Sequence, residues 1–404
     1  MIKVLKGGCL IDGNGGLPQE NMVIVIEDDK IKEVGCADAI IIPEGATVID
    51  LSGKTILPGM IDSHVHIGSN GEASYELPGL KELIPYKALK AAVNAKKALE
   101  AGITTLRDMG EVGYIDVAVK KAIQNGLCVG PRLMVSGHGL SITGGHGDSH
   151  LAPEVIVSSK VGVVDGPDEA RKAAREQLKH GADVLKLCAT GGVMSEGTEP
   201  GAQQLSYDEM KAAIDEFKKL GKTSAAHAQG TKGIKEAIRA GISSIEHGFF
   251  LDEEAIQMMI DNDVYLVPTL VAVYGIVTHG VEAGIPEYAV NKARKAQEAH
   301  IDSFQRAKAA GVKIAMGTDA GTPFNYHGKN AFELELMVKA GLTEMEAIVA
   351  TTKTASYLLQ MENQIGTVEP GKFADIIAVQ GNPLDDIALL QDVCFVMKGG
   401  SIIR

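Results

Sequence analysis

Short apolar runs alternate with longer polar, alanine-rich segments through the middle of the chain. The short runs are rich in β-branched residues and predict buried strands. They lie at 55–57 with 60–62, 103–107, 132–135, 184–187, 223–226, 243–246, 264–267 and 313–316. The longer segments combine alanine with lysine and glutamate and predict helices at 88–101, 167–180, 206–220, 232–240 and 286–310.

This alternation predicts an α/β fold, with a (β/α)8 TIM-type barrel over residues 58–360. An open, doubly wound sheet is the alternative. We favour the barrel because side chains of the metal-ligand type recur at the ends of many predicted strands. An open sheet would instead place its site at one switch point.

The two ends of the chain have a different pattern from the middle. Glycine-punctuated, β-branched runs such as 22–26, 374–379 and 394–398 predict short strands at both ends. We therefore expect residues 1–57 and 361–404 to form together one small β-sandwich domain.

Composition narrows the choice of partner. Of the 404 residues, 45% are hydrophobic and 23% are charged, as is usual for a globular enzyme. The formal net charge of −13 disfavours nucleic acid and anionic membranes, since both attract a positive protein surface. We expect a small-molecule substrate, no nucleic acid, no membrane, and a homo-oligomer, the common state of enzymes.

Cysteine usage and the first residues indicate the compartment. The five cysteines include no CxxC pair, which favours reduced thiols. The N-terminus lacks the apolar core of a signal peptide, and no stretch approaches the roughly 20 apolar residues of a membrane span. We expect a cytoplasmic protein.

Six potential metal ligands follow or end successive predicted strands. His64 and His66 lie on one face of a strand because side chains alternate, so both imidazoles can bind one ion. His-x-His is a weak signal alone, and each later residue could singly be an ordinary strand end. The ordered set is the stronger evidence: His64, His66, Lys186, His227, His247 and Asp319.

Lys186 lies inside the apolar strand 184–187, where an unpaired ammonium is unfavourable. It could reach a partner at the strand end. Alternatively, burial lowers its pKa, and the neutral amine takes up CO₂ to give a carbamate. The two oxygens of a carbamate can bridge two metal ions.

Longer motifs around these residues carry a family resemblance. The sequence resembles the metal-dependent amidohydrolase superfamily, in its imidazolonepropionase-like and prolidase-like branch (related to Xaa-Pro dipeptidases), over essentially the whole chain. The matching segments are 58–66, 101–108, 144–148, 317–320 and 365–376.

The resemblance implies a role for each ligand. His64 and His66 would hold one divalent ion with Asp319, His227 and His247 would hold a second, and carboxylated Lys186 would bridge them. A hydroxide between the ions would attack the carbonyl, with Asp319 as the catalytic proton shuttle. Imidazole and carboxylate ligands suit zinc. Single-metal deaminases and imidazolonepropionases lack this lysine, so its presence favours a binuclear hydrolase.

Five further residues are candidate substrate contacts. His138 resembles a position that contacts the substrate carbonyl in the prolidase-like branch, which would make it catalytic as well. Loop residues His146, Tyr326 and His327 are candidates for the cavity mouth. Many prolidase-like relatives have a tyrosine where this chain has Gln229, which makes recognition of a substrate carboxylate an open question. His150 and His279 have no assigned role.

The sequence thus predicts a hydrolase of an amide bond in a small molecule, a dipeptide or an N-acyl amino acid. The alternative is a hydrolase of a cyclic amide or lactone, as in imidazolonepropionases. A non-catalytic metal-binding scaffold is disfavoured because the whole ligand set is present.

Overall fold

A computed structural model describes residues 1–74, 81–148, 151–152, 154–155 and 161–404. His150, which the sequence left without a role, lies outside the described residues.

Strands occur at both ends and throughout the middle of the described chain. They are β1 (Ile2–Leu10), β2 (Gln19–Glu27), β3 (Lys30–Cys36), β4 (Thr47–Asp50), β5 (Lys54–Pro58), β6 (Met60–Val65), β7 (Ile103–Asp108), β8 (Arg132–Val135), β9 (Gly139–Ser141), β10 (Val161–Val163), β11 (Val184–Cys188), β12 (Thr223–Ala228), β13 (Ser244–His247), β14 (Tyr265–Val267), β15 (Ile376–Gln380), β16 (Val393–Lys398) and β17 (Ser401–Ile402).

Helices follow most strands of the middle region. They are α1 (Ile84–Glu100), α2 (Ile115–Gln124), α3 (Pro167–His180), α4 (Tyr207–Lys218), α5 (Thr231–Ala240), α6 (Glu253–Asp261), α7 (Leu270–His279), α8 (Glu287–Ala310), α9 (Phe332–Lys339), α10 (Glu344–Thr351) and α11 (Lys353–Leu358). Within the described ranges, none of them combines the length and the apolar character needed to cross a membrane.

The two ends of the chain pair in one eight-stranded sheet with the order β17-β16-β15-β5-β1-β2-β3, and β4 pairs with β1. The link between the ends is antiparallel, with Leu57 of β5 opposite Ile377 of β15. Alternate residues such as Ile56, Ile376 and Phe395 face a shared apolar core.

The middle region carries two parallel sheets, β6-β7-β8 and β10-β9-β11-β12-β13-β14. The Asp183 N–H donates to the Val135 carbonyl at 2.7 Å, which connects the start of β11 to β8. Residues 313–320 connect β14 to β6, because Leu266 donates to Lys313 O and Ser63 donates to Met316 O, both at 2.9 Å. The predicted α/β class is confirmed, and these connections are consistent with a TIM-type barrel.

The last predicted strand differs from the prediction. Residues 313–316 form an isolated bridge between Ile314 and Leu266 and not a regular strand. The segment nevertheless runs parallel to β6, so Asp319 reaches the same edge as the histidines of β6.

Candidate active site

The carboxyl ends of the parallel strands bring the predicted ligands to one place. In the pairing of β11, β12 and β13, Cys188 lies opposite His227, and Ala228 lies opposite His247. Parallel strands end at the same edge of their sheet, so side chains at these positions converge.

His64, His66 and Asp319 form the first group. The Nε2 atoms of His64 and His66 each lie 3.5 Å from Oδ1 of Asp319. Ligand atoms of the three residues all lie within 4.8 Å of one another, a spacing that can hold a metal ion. All three residues are buried, the least so being His66 and Asp319, each 8% exposed.

Lys186 lies beside this group. Its Nζ is 3.4 Å from Nε2 of His64, and the residue is 5% exposed. Burial lowers the pKa of the Lys186 ammonium, while the negative charge of Glu246 opposes the shift. The site therefore favours the neutral amine more than water does.

His227 and His247 form the second group, with ring centroids 4.6 Å apart. Burial, followed by the charges of neighbouring histidines and Lys186, holds the pKa of both imidazoles well below the usual range. Both rings are therefore neutral near pH 7, and neutral imidazole is the form that ligates metals.

Backbone strain concentrates at the same strand ends. His247, Thr269 and Asp319 have φ angles of 72°, 53° and 58°, in the left-handed region that is uncommon for residues other than glycine and rare for a β-branched residue such as Thr269. Such strain persists where surrounding contacts enforce it, and it clusters at functional sites. One of these contacts holds His247, whose Nδ1 lies 2.7 Å from Oγ1 of Thr269.

At two positions near the ligands, neighbouring side chains lie so close to the backbone that only glycine fits. A Cβ at Gly317 would lie 2.4 Å from Val267 Cγ1 and 3.0 Å from His64 Cβ. A Cβ at Gly192 would lie 2.5 Å from the ring of His146. A side chain at either position would push a histidine out of place.

Buried charges around the ligands were missed by the sequence analysis. Glu246 and Arg107 are both fully buried, and they form an ion pair at 2.9 Å beside His64. Asp62 accepts hydrogen bonds from Thr318 Oγ1 at 2.6 Å and Asn330 Nδ2 at 2.7 Å, which fixes the segment leading to Asp319. Burial raises the pKa of Asp62 to about 6. The sequence signal that could have identified these residues is a charged residue within an apolar run that predicts a strand.

The loop that carries His66 is held by a further buried carboxylate. Asp108 accepts from the N–H groups of Ile67 at 2.9 Å and Gly110 at 3.0 Å, and Nδ1 of His66 lies 2.9 Å from the Gly110 carbonyl. Burial, then the nearby Glu111 charge, raises the pKa of Asp108 well above its usual value.

A cavity of about 350 Å³ opens above the ligands. One wall is apolar, and its residues include Val193, Met194, Phe249, Val273, Ile276 and Tyr288. The polar lining includes His64, His66, Lys186, His227, His247 and Asp319, all six predicted ligands.

Two predicted substrate residues also line this cavity, His146 and Gln229. The His146 ring stacks on His227 with centroids 4.1 Å apart, and its Nδ1 lies 2.9 Å from Ser195 Oγ. Gln229 is 3% exposed, and its Oε1 has no hydrogen-bond partner among the described residues.

The structure does not place the other three predicted substrate residues at the cavity. The His138 ring stacks on Tyr114 at 4.3 Å and is not among the described lining residues, which argues against a catalytic or substrate contact. Tyr326 is 46% exposed and packs near Gly71. His327 is buried beneath the first group, where its Nε2 lies 3.1 Å from the His66 carbonyl. Periodicity does not fix the direction of loop side chains, so sequence could not locate these three.

The unassigned His279 lies on helix α7, where its ring stacks on Phe324 with centroids 4.1 Å apart. Nδ1 of His279 lies 2.9 Å from the Gly275 carbonyl. Both contacts are structural.

Comparison with known proteins identifies the family. A model of the Amidohydrolase family matches residues 55–403. The chain is 33% identical to ochratoxinase of Aspergillus niger over 430 aligned positions, covering 100% of this chain and 87% of that protein. It is 25% identical to imidazolonepropionase of Fusobacterium nucleatum, covering 89% of this chain and 84% of that protein.

A solved structure described as a Xaa-Pro dipeptidase with bound methionine superposes with a TM-score of 0.94 at 36% identity, covering 100% of this chain and 99% of that chain. These matches confirm the resemblance and the branch inferred from the motifs. The chain therefore belongs to the amidohydrolase family and is a hydrolase acting on C–N bonds.

Proposed function

We propose that this protein is a binuclear metal-dependent hydrolase that cleaves an amide bond in a dipeptide or an N-acyl amino acid. The position of Lys186 carries the proposal. Its Nζ is buried 3.4 Å from Nε2 of His64 in the first group, and its strand β11 pairs with β12, which carries His227 of the second group. A lysine at this place can join two ligand groups, whereas a single-ion site has no use for it.

The donor set fits two divalent ions. His64, His66 and Asp319 would hold one ion, and His227 and His247 the other, with Lys186 shared as a carbamate. Imidazole and carboxylate donors beside an open cavity suit catalytic zinc. Such ions, when bound, would polarise a carbonyl and acidify water to near neutral pH.

Lys186 can become a ligand because its surroundings favour the neutral amine. The amine nitrogen forms a bond to the carbon of CO₂, its proton passes to solvent, and an anionic carbamate remains. The lowered pKa of Lys186 supports this step, since an ammonium has no lone pair to attack CO₂.

Asp319 is suited to move the proton of the reaction. It belongs to the first group and also lines the cavity. It would accept a proton from the attacking water and return it to the leaving nitrogen, as a general base and then a general acid.

The cavity supports a small substrate with one apolar group. The wall that includes Val193, Met194 and Phe249 would pack that group. On the polar side, His146 and Gln229 would make hydrogen bonds to the substrate. Gln229 has an amide oxygen with no partner among the described residues, so it would accept a hydrogen bond from a donor group.

A cyclic amide or lactone is the second candidate substrate. No arginine is found among the described lining residues, and Gln229 is uncharged. Lys90 lines the cavity but is already paired with Glu72 and Glu82, each at 2.9 Å. Lys87 also lines the cavity and has no ion pair among the described residues, so a free substrate carboxylate would find this one lysine outside the ligand set, whereas a ring substrate needs no cation.

The proposal extends to the architecture. Residues 58–360 would form the (β/α)8 barrel, and residues 1–57 with 361–404 the small β-sandwich domain. The connections of residues 313–320 to both β14 and β6 support closure of the barrel. We also propose a homo-oligomer, the common state of enzymes.

A substrate screen tests the proposed function. The protein is reconstituted with zinc and bicarbonate and assayed against dipeptides, N-acyl amino acids, cyclic amides and lactones. Turnover of linear amides supports the leading proposal, and turnover confined to rings supports the second. Absence of bound metal, or no turnover of any of these substrates, contradicts both.

A further inference from the structure

Buried polar groups hold the ring and the backbone of His64 in place, and the proposed reaction assigns these groups no role. Nδ1 of His64 lies 2.6 Å from Oε2 of Glu246. The other carboxylate oxygen, Oε1, accepts from Arg107 at 2.9 Å and from the Ser244 hydroxyl. Arg107 also donates through Nε to the carbonyl of Ser63, the residue before His64. The same arginine thus anchors both the backbone at His64 and the carboxylate beside its ring.

We propose that Glu246 is a positioning residue that fixes the tautomer of His64, and that strand β13 thereby couples the two ligand groups. The expected effect on zinc binding rests on the proposed function, whereas the contact between Glu246 and His64 does not. Glu246 accepts through Oε1 from Arg107 and Ser244, and its Oε2 is placed to accept a proton carried by Nδ1 of His64. Nε2 then keeps its lone pair, 3.5 Å from Oδ1 of Asp319 and 3.4 Å from Lys186 Nζ.

The other ligand histidines are held differently. Nδ1 of His66 is paired with the Gly110 carbonyl, and Nδ1 of His247 with the Thr269 hydroxyl. Among the contacts of the described residues, His64 is the ligand whose Nδ1 meets a charged group held by an arginine. Charge-assisted hydrogen bonds are stronger than neutral ones, and burial strengthens them further.

The two ligand groups are coupled because Glu246 and His247 are adjacent in the chain. Glu246 is fully buried on β13 and is followed directly by His247 of the second group. Ser244 and Glu246 share one face of the strand because side chains alternate. His247 has a φ angle of 72°, and its ring also lies beside His64, with centroids 5.2 Å apart. One strand therefore supplies a ligand for one ion and the holder of a ligand for the other. A shift of β13 would disturb both groups.

The variant Glu246→Gln separates this role from simple ion pairing. His64 and Arg107 face different oxygens of Glu246, whereas an amide has an NH₂ donor in place of one oxygen and so cannot accept at both positions. We expect 10–100-fold weaker Zn²⁺ binding, measured by competition with a chelator, because partners that orient metal-binding histidines carry about that effect. Glu216→Gln is the matched control, since Glu216 pairs with Arg175 and Lys219 away from the cavity.

A second measurement reads the tautomer of His64 in the wild-type protein itself. In the metal-free wild-type protein labelled with ¹⁵N-histidine, the His64 signal, assigned with His64→Asn, should show the Nδ1–H tautomer. Glu246→Gln, if folded, should shift it toward Nε2–H. Wild-type His64 in the Nε2–H form, or Zn²⁺ affinity of Glu246→Gln equal to that of Glu216→Gln, would overturn the proposal. Failure of the wild type to bind zinc would count against the proposed function alone, because the tautomer is read without metal.

Discussion

The ring of His146 stacks on the ring of His227 at 4.1 Å, with 18° between their planes. The contact joins a residue predicted to meet the substrate to a residue predicted to hold the second ion. His146→Asn should lower kcat/KM by about 10–100-fold while leaving the metal content unchanged, because it removes a cavity wall but no ligand.

His138→Asn is the matched control for His146, since His138 stacks on Tyr114 outside the described cavity lining. Its kcat/KM should stay within about 3-fold of the wild-type value. A larger loss for His138→Asn than for His146→Asn would show that the cavity has been assigned to the wrong histidine.

Lys186→Ala should remove the second ion and lower turnover at least about 100-fold, because the shared carbamate is lost. Metal analysis of the purified variant would show one ion or fewer per chain. A short carboxylic acid such as propionate should restore part of the activity by supplying a carboxylate at the empty place. Lys222→Ala, at a half-buried lysine that donates to the Ala182 carbonyl, is the control. Retention of two ions and full activity by Lys186→Ala would exclude the carbamate.

Asp319→Asn should reduce kcat by about 10²–10⁴-fold, the usual contribution of a general acid–base group. The amide cannot accept the proton of the attacking water, so the acidic limb of the pH–kcat profile should disappear as well. Metal content measured on the same sample separates this effect from loss of a ligand. An unchanged profile shape with a normal metal content would assign the proton transfer to another group.

His327 should make the metal-free protein sensitive to acid. Burial lowers the pKa of His327 to about 4, against about 6.5 in an unfolded chain. Its stabilising contribution is therefore complete above about pH 6.5 and is lost as the pH falls toward 4, because the unfolded chain then binds the proton more readily. Between pH 7 and pH 5 this amounts to about 2 kcal/mol in the free energy of unfolding.

Urea unfolding of His327→Gln at the two pH values measures this contribution. The glutamine amide can still donate to the His66 and Ser69 carbonyls, but it does not titrate. The variant should lose about 2 kcal/mol less stability than the wild type on acidification. His180→Gln, at the exposed end of α3, should behave like the wild type. An equal loss in His327→Gln would rule out His327 as a source of the acid sensitivity.

The sequence predicted the parts of this structure that depend on local pattern. Helix α3 spans the predicted residues 167–180, and all six predicted ligands line one cavity, because strand periodicity and the ends of parallel strands determine their placement. Glu246 and Arg107 were missed because their partners lie far away in sequence. Arg107 meets Glu246 across 139 positions, a contact that no local pattern encodes.

The direction of side chains in loops also could not be predicted from the sequence. Tyr326 and His327 are adjacent, yet one is 46% exposed and the other is buried under His66. Their loop has no repeating period from which to infer direction. The prediction for residues 313–316 was partly correct, since the apolar run lies beside β14 as a strand would, but it forms only an isolated bridge.

Zinc titration of the metal-free protein tests the central claim most directly. Zinc is added stepwise in the presence of bicarbonate, and hydrolysis of an N-acyl amino acid or dipeptide found in the screen is followed at each step. A binuclear hydrolase predicts activity that rises to its maximum at two ions per chain. A maximum at one ion per chain, with no further change on adding the second, would contradict the binuclear site.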